Sequence, residues 1–406
     1  MQKVLNKKEE LCTTNDKTDS LASLVEIDKD ILTCVKEVLR GGIAFILCDK
    51  ESDFSISVHR NLVKDFEVQA HYRDSEDKAI SIPEGCALII AIGDMDTISR
   101  AKLLALSFDT RLIVFPTSFC LAKVADSVSE IDYGGIVLSR IARAPDKILL
   151  CSELYENIEK DSFVNITGEL FGTCLNVCDY LYRSIKVGQY RDDLANIFLE
   201  KFDDFIDKYD RLKQSPTSDF LSKIVEINEY LSVFGMQSGA SQLSNCLSRY
   251  LKKHAKQGIE KGDRDIFCAY LLSVVYSKFC GLDTKYMIPD INYCLDKTKK
   301  LFSLSEKECA SLGVSLFSEN YRFEDYIVKV YKEELKHVTS RCMEILKKAF
   351  NSYRKMLKDG GYSMRDTVSV NQMKELVSSS PFCIKEDTLL GYIKERGLLE
   401  FENNVF

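Results

Sequence analysis

The sequence is short of histidine, with four in 406 residues, which bounds any site built on imidazole. It has no run of about 18 apolar residues, so no membrane span is expected. The opening stretch, MQKVLNKKEELCTTNDKTDS, lacks the apolar core of a secretory signal, and the cytoplasm is the expected location. Basic charge is not in excess either. A net charge of −7, with no basic stripe, excludes the usual electrostatic footprint of a nucleic-acid binder. No repeat of solenoid length is visible.

What is present fits an ordinary globular protein: 45% hydrophobic and 29% charged residues, in a chain long enough for two substantial cores. The fifteen cysteines are scattered, and Cys48, Cys86, Cys151 and Cys268 lie inside apolar runs. They read as buried thiols in a reducing compartment. Cys174 and Cys178 share one helical face, but no other close cysteine pair completes a zinc site.

The chain is organised around residues 86–153. Apolar runs at 87–92, 112–115 and 148–151 read as strands, and 97–106 as a helix between the first two. Upstream, a helix at 28–39 is stopped by Gly41-Gly42, and a strand at 43–49, a helix at 57–66, a short strand at 67–71 and a charged loop at 75–84 follow. Beyond about residue 155 helical periodicity takes over, at 170–186, 191–209, 218–234, 241–256, 263–279, 291–299, 323–357 and 370–377. The expected fold class is α/β: a polar leader over 1–22, a Rossmann-like parallel-sheet domain over 23–155, and an all-α helical domain over 156–406.

In such a layer, ligands sit beyond the carboxyl ends of parallel strands, where helix N-termini offer N–H groups to phosphate. Here those places are residues 93–96 and 116–123. The first turn keeps one glycine, Gly93, and follows it with Asp94 and Asp96, which repel a pyrophosphate. A solvated acidic helix start is the plain reading.

Four patches carry a family likeness. They are the strand, turn and helix ending in Ala101-Lys102 and followed by Phe115-Pro116-Thr117; the segment APDKILLCSEL at 144–154; Gly168-Glu169 with Asp179-Tyr180 ten residues on; and DTLLGYIKERGLL at 387–399. In order and spacing, over roughly residues 24–401, the chain resembles the glycerol-1-phosphate dehydrogenase family. That family belongs to the superfamily that includes glycerol dehydrogenases, iron-containing alcohol dehydrogenases and dehydroquinate synthases. The resemblance implies a dehydroquinate synthase-like fold. It also implies hydride exchange between NAD(P) and a polyol phosphate, with a divalent metal (zinc, nickel or iron) holding the substrate oxygens as a Lewis acid. One carboxylate and two imidazoles would hold that metal.

The motifs depart from this pattern. At the metal positions the chain has Glu169, then Gln242 in Ser238-Gly239-Ala240-Ser241-Gln242, then Lys261 in Lys261-Gly262. An amide oxygen is a poor zinc ligand, and a protonated amine has no acceptor at all. His59, His71 and His337 read as surface or helix-face residues, and His254 lies seven residues before Lys261. At the cofactor positions, Gly93, Asp94, Asp96, Pro116 and Thr117 stand where the family has its glycine-rich loop and Pro-Thr, and Ala122 replaces a substrate-facing Asp. Neither NAD(P) nor metal is expected to be retained.

Lys261 is expected either to fill the vacated cation position beside Glu169 or to face solvent. A buried pair predicts a cost of about 3–5 kcal/mol for Lys261→Met. The leading expectation is a glycerol-1-phosphate dehydrogenase-like protein that is catalytically degenerate, with a small phosphorylated polyol as possible ligand and a homo-oligomer as possible assembly. The alternative is an active NAD(P)- and metal-dependent polyol-phosphate oxidoreductase with a site displaced to Glu169, His254 or Asp179. A third reading is a metal-free enzyme using Lys261 as a cation or Schiff-base amine with Cys120 or Cys246 as nucleophile.

Overall fold

A computed structural model describes residues 21–39, 41–49, 51–72, 80–133, 136–156, 160–188, 192–212, 218–234, 239–254, 260–280, 299–300, 305, 329–359 and 388–395. Residues 1–20 of the polar leader, the helix expected at 370–377 and all but the last residue of the one expected at 291–299 lie outside these. The chain divides into two compact units. The first comprises Met1–Tyr133, Val137–Glu159 and Tyr209–Val233, and the second Gly134–Ile136, Lys160–Lys208 and Phe234–Phe406. Most of the helix at 218–234 therefore belongs with the first unit, although the sequence pattern groups it with the helical half. Among the described residues no helix is long and apolar enough to cross a membrane.

In the first unit, a short helix α1 (Leu21–Leu24) leads into β1 (Val25–Ile27), α2 (Ile31–Val38), β2 (Ile43–Cys48), α3 (Asp53–Leu62), β3 (Val68–Tyr72), β4 (Cys86–Gly93), α4 (Met95–Ser107) and β5 (Arg111–Pro116). Then come α5 (Leu121–Ala125), β6 (Val128–Tyr133), β7 (Ile136–Ile141), β8 (Lys147–Leu150) and α6 (Ser152–Glu156). Six strands make one sheet in the order β1-β8-β5-β4-β2-β3, while β6 and β7 pair apart from it. Every pairing in the large sheet is parallel. Parallel strands are covered on both faces, so they read as continuous apolar runs; β4 is buried from Leu88 to its end.

Side-chain caps set where the helices start. Asp30 accepts from the Thr33 N–H and starts α2. Ser52 and Ser55 form a reciprocal capping box that starts α3 at Asp53, four residues before the periodicity suggests. Gly42, at φ +92°, must be glycine for a second reason, because a Cβ there would lie 2.8 Å from the Cβ of Ala87. The strand order fixes where a ligand crevice would open. From β2 the chain steps outward to β3, then returns past β2 to add β4, β5 and β8 on the other side. The reversal lies between β2 and β4.

The second unit is helical: α7 (Lys160–Gly172), a 3₁₀ turn at Thr173–Leu175, α8 (Asn176–Lys186), α9 (Asp192–Leu212), then, after α10 (Ser218–Phe234), α11 (Gly239–His254), α12 (Lys261–Cys280), α13 (Lys332–Asp359) and α14 (Leu389–Glu395). The single helix expected at 170–186 is broken by the 3₁₀ turn. Helices α7 and α12 approach closely on glycines. A Cβ on Gly172 would lie 2.8 Å from Asp265, and one on Gly262 would overlap the Asn165 carbonyl oxygen at 1.9 Å. Phe171, Phe198, Phe202 and Phe205 fill the interior beside them with edge-on and tilted ring contacts.

Candidate functional site

In the first unit, β4 and β5 end side by side with Gly93 opposite Pro116. The Thr117 N–H donates to the Gly93 carbonyl at 2.8 Å. The five cofactor positions read from the sequence, Gly93, Asp94, Asp96, Pro116 and Thr117, therefore do come together at the carboxyl edge of the sheet. Two of the N–H donors there, those of Thr97 and Thr117, are already engaged. The Asp94 carboxylate accepts from the Thr97 N–H at 2.8 Å and caps α4. Asp96 pairs with Arg100 at 3.3 Å along the same helix. The Pro116 carbonyl accepts from the buried Tyr155 hydroxyl at 2.7 Å.

Neighbouring helix starts are closed in the same way. Asp28, at the end of β1 with φ +51°, accepts from the Ser152 N–H at 2.7 Å and from its hydroxyl at 2.8 Å, at the start of α6. The Ala122 N–H in α5 donates to the Asn228 Oδ1 at 3.1 Å. The Asn228 amide in turn donates to the carbonyls of Phe119 at 2.7 Å and Ile224 at 2.8 Å. This fully buried asparagine in α10 thus fixes the loop after β5.

The space at the switch point is occupied too. Gly93 has φ +146°, and a Cβ on it would lie 2.7 Å from the carboxyl carbon of Asp49 and 2.8 Å from one of its oxygens. Asp49 follows β2, and its N–H donates to the Ile92 carbonyl at 3.2 Å. Glycine here makes room for a carboxylate of the protein itself. A pyrophosphate needs free N–H donors and no nearby negative charge, so this edge does not fit the phosphates of NAD(P). Sequence reasoning singled out neither Asp49 nor Asn228. Asp49 stands directly after an apolar strand, which was the available signal, whereas Asn228 lies more than a hundred residues from the loop it holds.

Lys102 lies deeper in the same unit, almost wholly buried on α4. Its ammonium donates to the carbonyls of Lys123 at 3.2 Å and Val128 at 2.8 Å. Burial pushes its pKa down to about 8, against the opposing charges of Asp126 and Glu130.

In the second unit, Glu169 on α7 and Lys261 at the first turn of α12 form an ion pair at 3.1 Å, with Asp265 4.0 Å from the same ammonium. The Glu169 side chain is 10% exposed and that of Lys261 37%, so the pair is neither sealed nor free in solvent. The Gly262 N–H is held by the Asn165 side chain. Next to it, Asp263 is buried, and desolvation with the nearby Glu260 charge pushes its pKa up to about 6, opposed by Arg264.

Gln242 lies in the first turn of α11, buried, with its side-chain oxygen unpaired among the described residues. This donor set does not suit a divalent cation. It offers one carboxylate already paired with an ammonium, one neutral amide oxygen and one amine without a lone pair. Among the described residues no group of three His, Cys, Asp or Glu side chains is arranged to hold a metal ion.

The remaining sequence-derived residues form no such centre among the described residues. Asp179 is fully buried and accepts from the Tyr276 hydroxyl at 3.2 Å and the Leu389 N–H at 2.9 Å, capping α14. His59 and His71 are half-buried, His337 is exposed, and His254 closes α11. Cys120 and Cys246 are both buried.

No family model matches the chain, and no curated protein matches it. Solved structures do. An archaeal halo-thermophilic alcohol dehydrogenase from a Red Sea brine pool is 10% identical, covering 94% of this chain and 98% of its own, with a TM-score of 0.56. An iron-containing alcohol dehydrogenase is 12% identical, covering 92% and 97%, with a TM-score of 0.51. The iron-containing alcohol dehydrogenase of Thermotoga maritima is 10% identical, covering 92% and 97%, with a TM-score of 0.50. At such identities the likeness is one of fold. The chain has a parallel six-stranded sheet unit and a helical unit, as the iron-containing alcohol dehydrogenases do.

Proposed function

We propose that this chain is a glycerol-1-phosphate dehydrogenase-like protein that no longer transfers hydride and has been kept for binding or assembly. The observation that carries this reading is the Lys261–Glu169 pair at 3.1 Å. An ammonium on the carboxylate supplies the positive charge that a metal would, but it has no open coordination position at which to polarise a substrate hydroxyl. The carboxylate-rich sheet edge supports the same reading, since Asp94 caps the helix whose N-terminus would receive the pyrophosphate.

The test is a titration of purified protein with NADH and NADPH by fluorescence, alongside elemental analysis of protein prepared without chelator. The expected outcome is no saturable binding below about millimolar nucleotide and no stoichiometric zinc, nickel or iron. Micromolar nucleotide affinity, or one metal per chain, would instead favour an active NAD(P)- and metal-dependent polyol-phosphate oxidoreductase. Binding of a small phosphorylated polyol and self-association of the chain belong to the same proposal. Calorimetry with glycerol-1-phosphate and sedimentation velocity address them separately.

A further inference from the structure

In the second unit the 3₁₀ turn at Thr173–Leu175 brings Cys174 against Cys342 of α13, with the two sulfurs 3.7 Å apart although 168 residues separate them in sequence. The Cys342 thiol also lies 3.8 Å from the Cys174 carbonyl oxygen. Cys178, one helical turn after Cys174, has its thiol against the same Cys342 sulfur. All three are fully buried. Burial pushes the thiols of Cys174 and Cys178 well above the ordinary range, so in the resting state they stay protonated and unreactive.

We infer that Cys174 and Cys342 are a redox pair that closes to a disulfide, tying the 3₁₀ turn to helix α13. The sulfurs are in van der Waals contact, and bonding requires them to approach to about 2.05 Å. The two thiols lose two protons and two electrons. The oxidant is a peroxide, reduced to water, or a small disulfide, reduced to two thiols. Because the sulfurs are sealed, the reaction runs through local opening of the unit and is slow compared with reaction at half-buried cysteines such as Cys86 and Cys151. The product restricts the unfolded chain through a long loop, which raises stability.

The experiment treats the full chain with oxidised glutathione, maps disulfides by mass spectrometry of non-reduced peptides, and records thermal unfolding before and after dithiothreitol. The expected result is a peptide containing Cys174 joined to one containing Cys342. It should accompany a rise in the unfolding midpoint of roughly 5 °C that dithiothreitol reverses and that Cys342→Ala lacks. The mapping on the unaltered chain stands even where that variant does not fold. A Cys178–Cys342 linkage in place of this one, or mixed disulfides confined to Cys86 and Cys151 after prolonged treatment, would overturn the assignment.

Discussion

The Asp49 carboxylate rests against the backbone of Gly93, at the point where β2 and β4 part and the strand order of the sheet reverses. A Cβ on Gly93 would meet it at 2.7 Å, and the residue's φ of +146° is one that L side chains rarely adopt. Gly93→Ala is therefore expected to cost about 2–4 kcal/mol, from backbone strain plus displacement of Asp49. Asp49→Ala in the same chain should recover the part due to the carboxyl group and leave the part due to φ and to the Asp49 Cβ, which lies 2.9 Å from the same position. Urea unfolding of the two single variants and the double variant measures the coupling. Strict additivity would mean that Asp49 yields freely.

Lys261→Met removes the cation beside Glu169. With Lys261 more than a third exposed, solvent screens the pair, and the expected loss is about 1 kcal/mol. This lies well below the value for a sealed pair, and Lys261→Arg should restore most of it. Chemical denaturation at low and high salt reads the effect. A loss above about 3 kcal/mol would show that the pair is desolvated in solution.

Asn228 is buried and makes three hydrogen bonds, two of which hold the loop after β5. Asn228→Leu leaves the Ala122 N–H and the Phe119 carbonyl unpaired, and an expected loss of about 2–4 kcal/mol follows. Amide exchange at Ala122 should accelerate beyond what the global loss explains. Exchange that merely follows the global change would mean that the loop is held by other contacts.

Lys102 gives a pH signature. Its folded pKa of about 8 lies below the unfolded value of about 10.4. Below pH 8 both states carry the proton. Between pH 8 and about 10.4 the unfolded chain binds more protons, so stability contributed by this site rises with pH across that window, by on the order of 2 kcal/mol. The difference between the native chain and Lys102→Met, measured by denaturation from pH 7 to 10, should show the rise. A flat difference would mean that the ammonium reaches water.

Asp263 has the opposite signature. Its folded pKa of about 6 lies above the unfolded value of about 3.9, so between those values the folded chain binds more protons and stability falls as pH rises. Asp263→Asn is expected to remove that fall and to gain about 1–2 kcal/mol at pH 7. The same denaturation series from pH 4 to 7 tests it, and a variant that tracks the native chain would place the titration elsewhere.

How much of this was legible in the sequence depends on what each feature is made of. The strands at 43–48, 86–93 and 111–116 are continuous apolar runs, and burial on both faces makes such runs visible. β1 has three residues, too few to form a pattern, and only its pairing with β8 defines it. The helix expected at 170–186 was continuous in its periodicity because the 3₁₀ turn keeps Cys174 and Leu175 on the buried face. Gly172 marked the break only in hindsight, through its contact with Asp265. At the site, Gln242 and Lys261 were singled out by the family resemblance, and the pairing of Lys261 with Glu169 was one of the two placements expected for it. The Asp28, Asp49 and Asn228 contacts were not, because each joins residues that only the tertiary fold brings together.

One of those long-range contacts sets an order of events during synthesis. Asp179 is a buried carboxylate whose partner N–H belongs to Leu389, 210 residues later. Until that residue has left the ribosome, the carboxylate must either stay in water or be buried without the helix start that it caps. The helical unit therefore finishes folding late, whereas the sheet unit has its last element once residue 233 emerges.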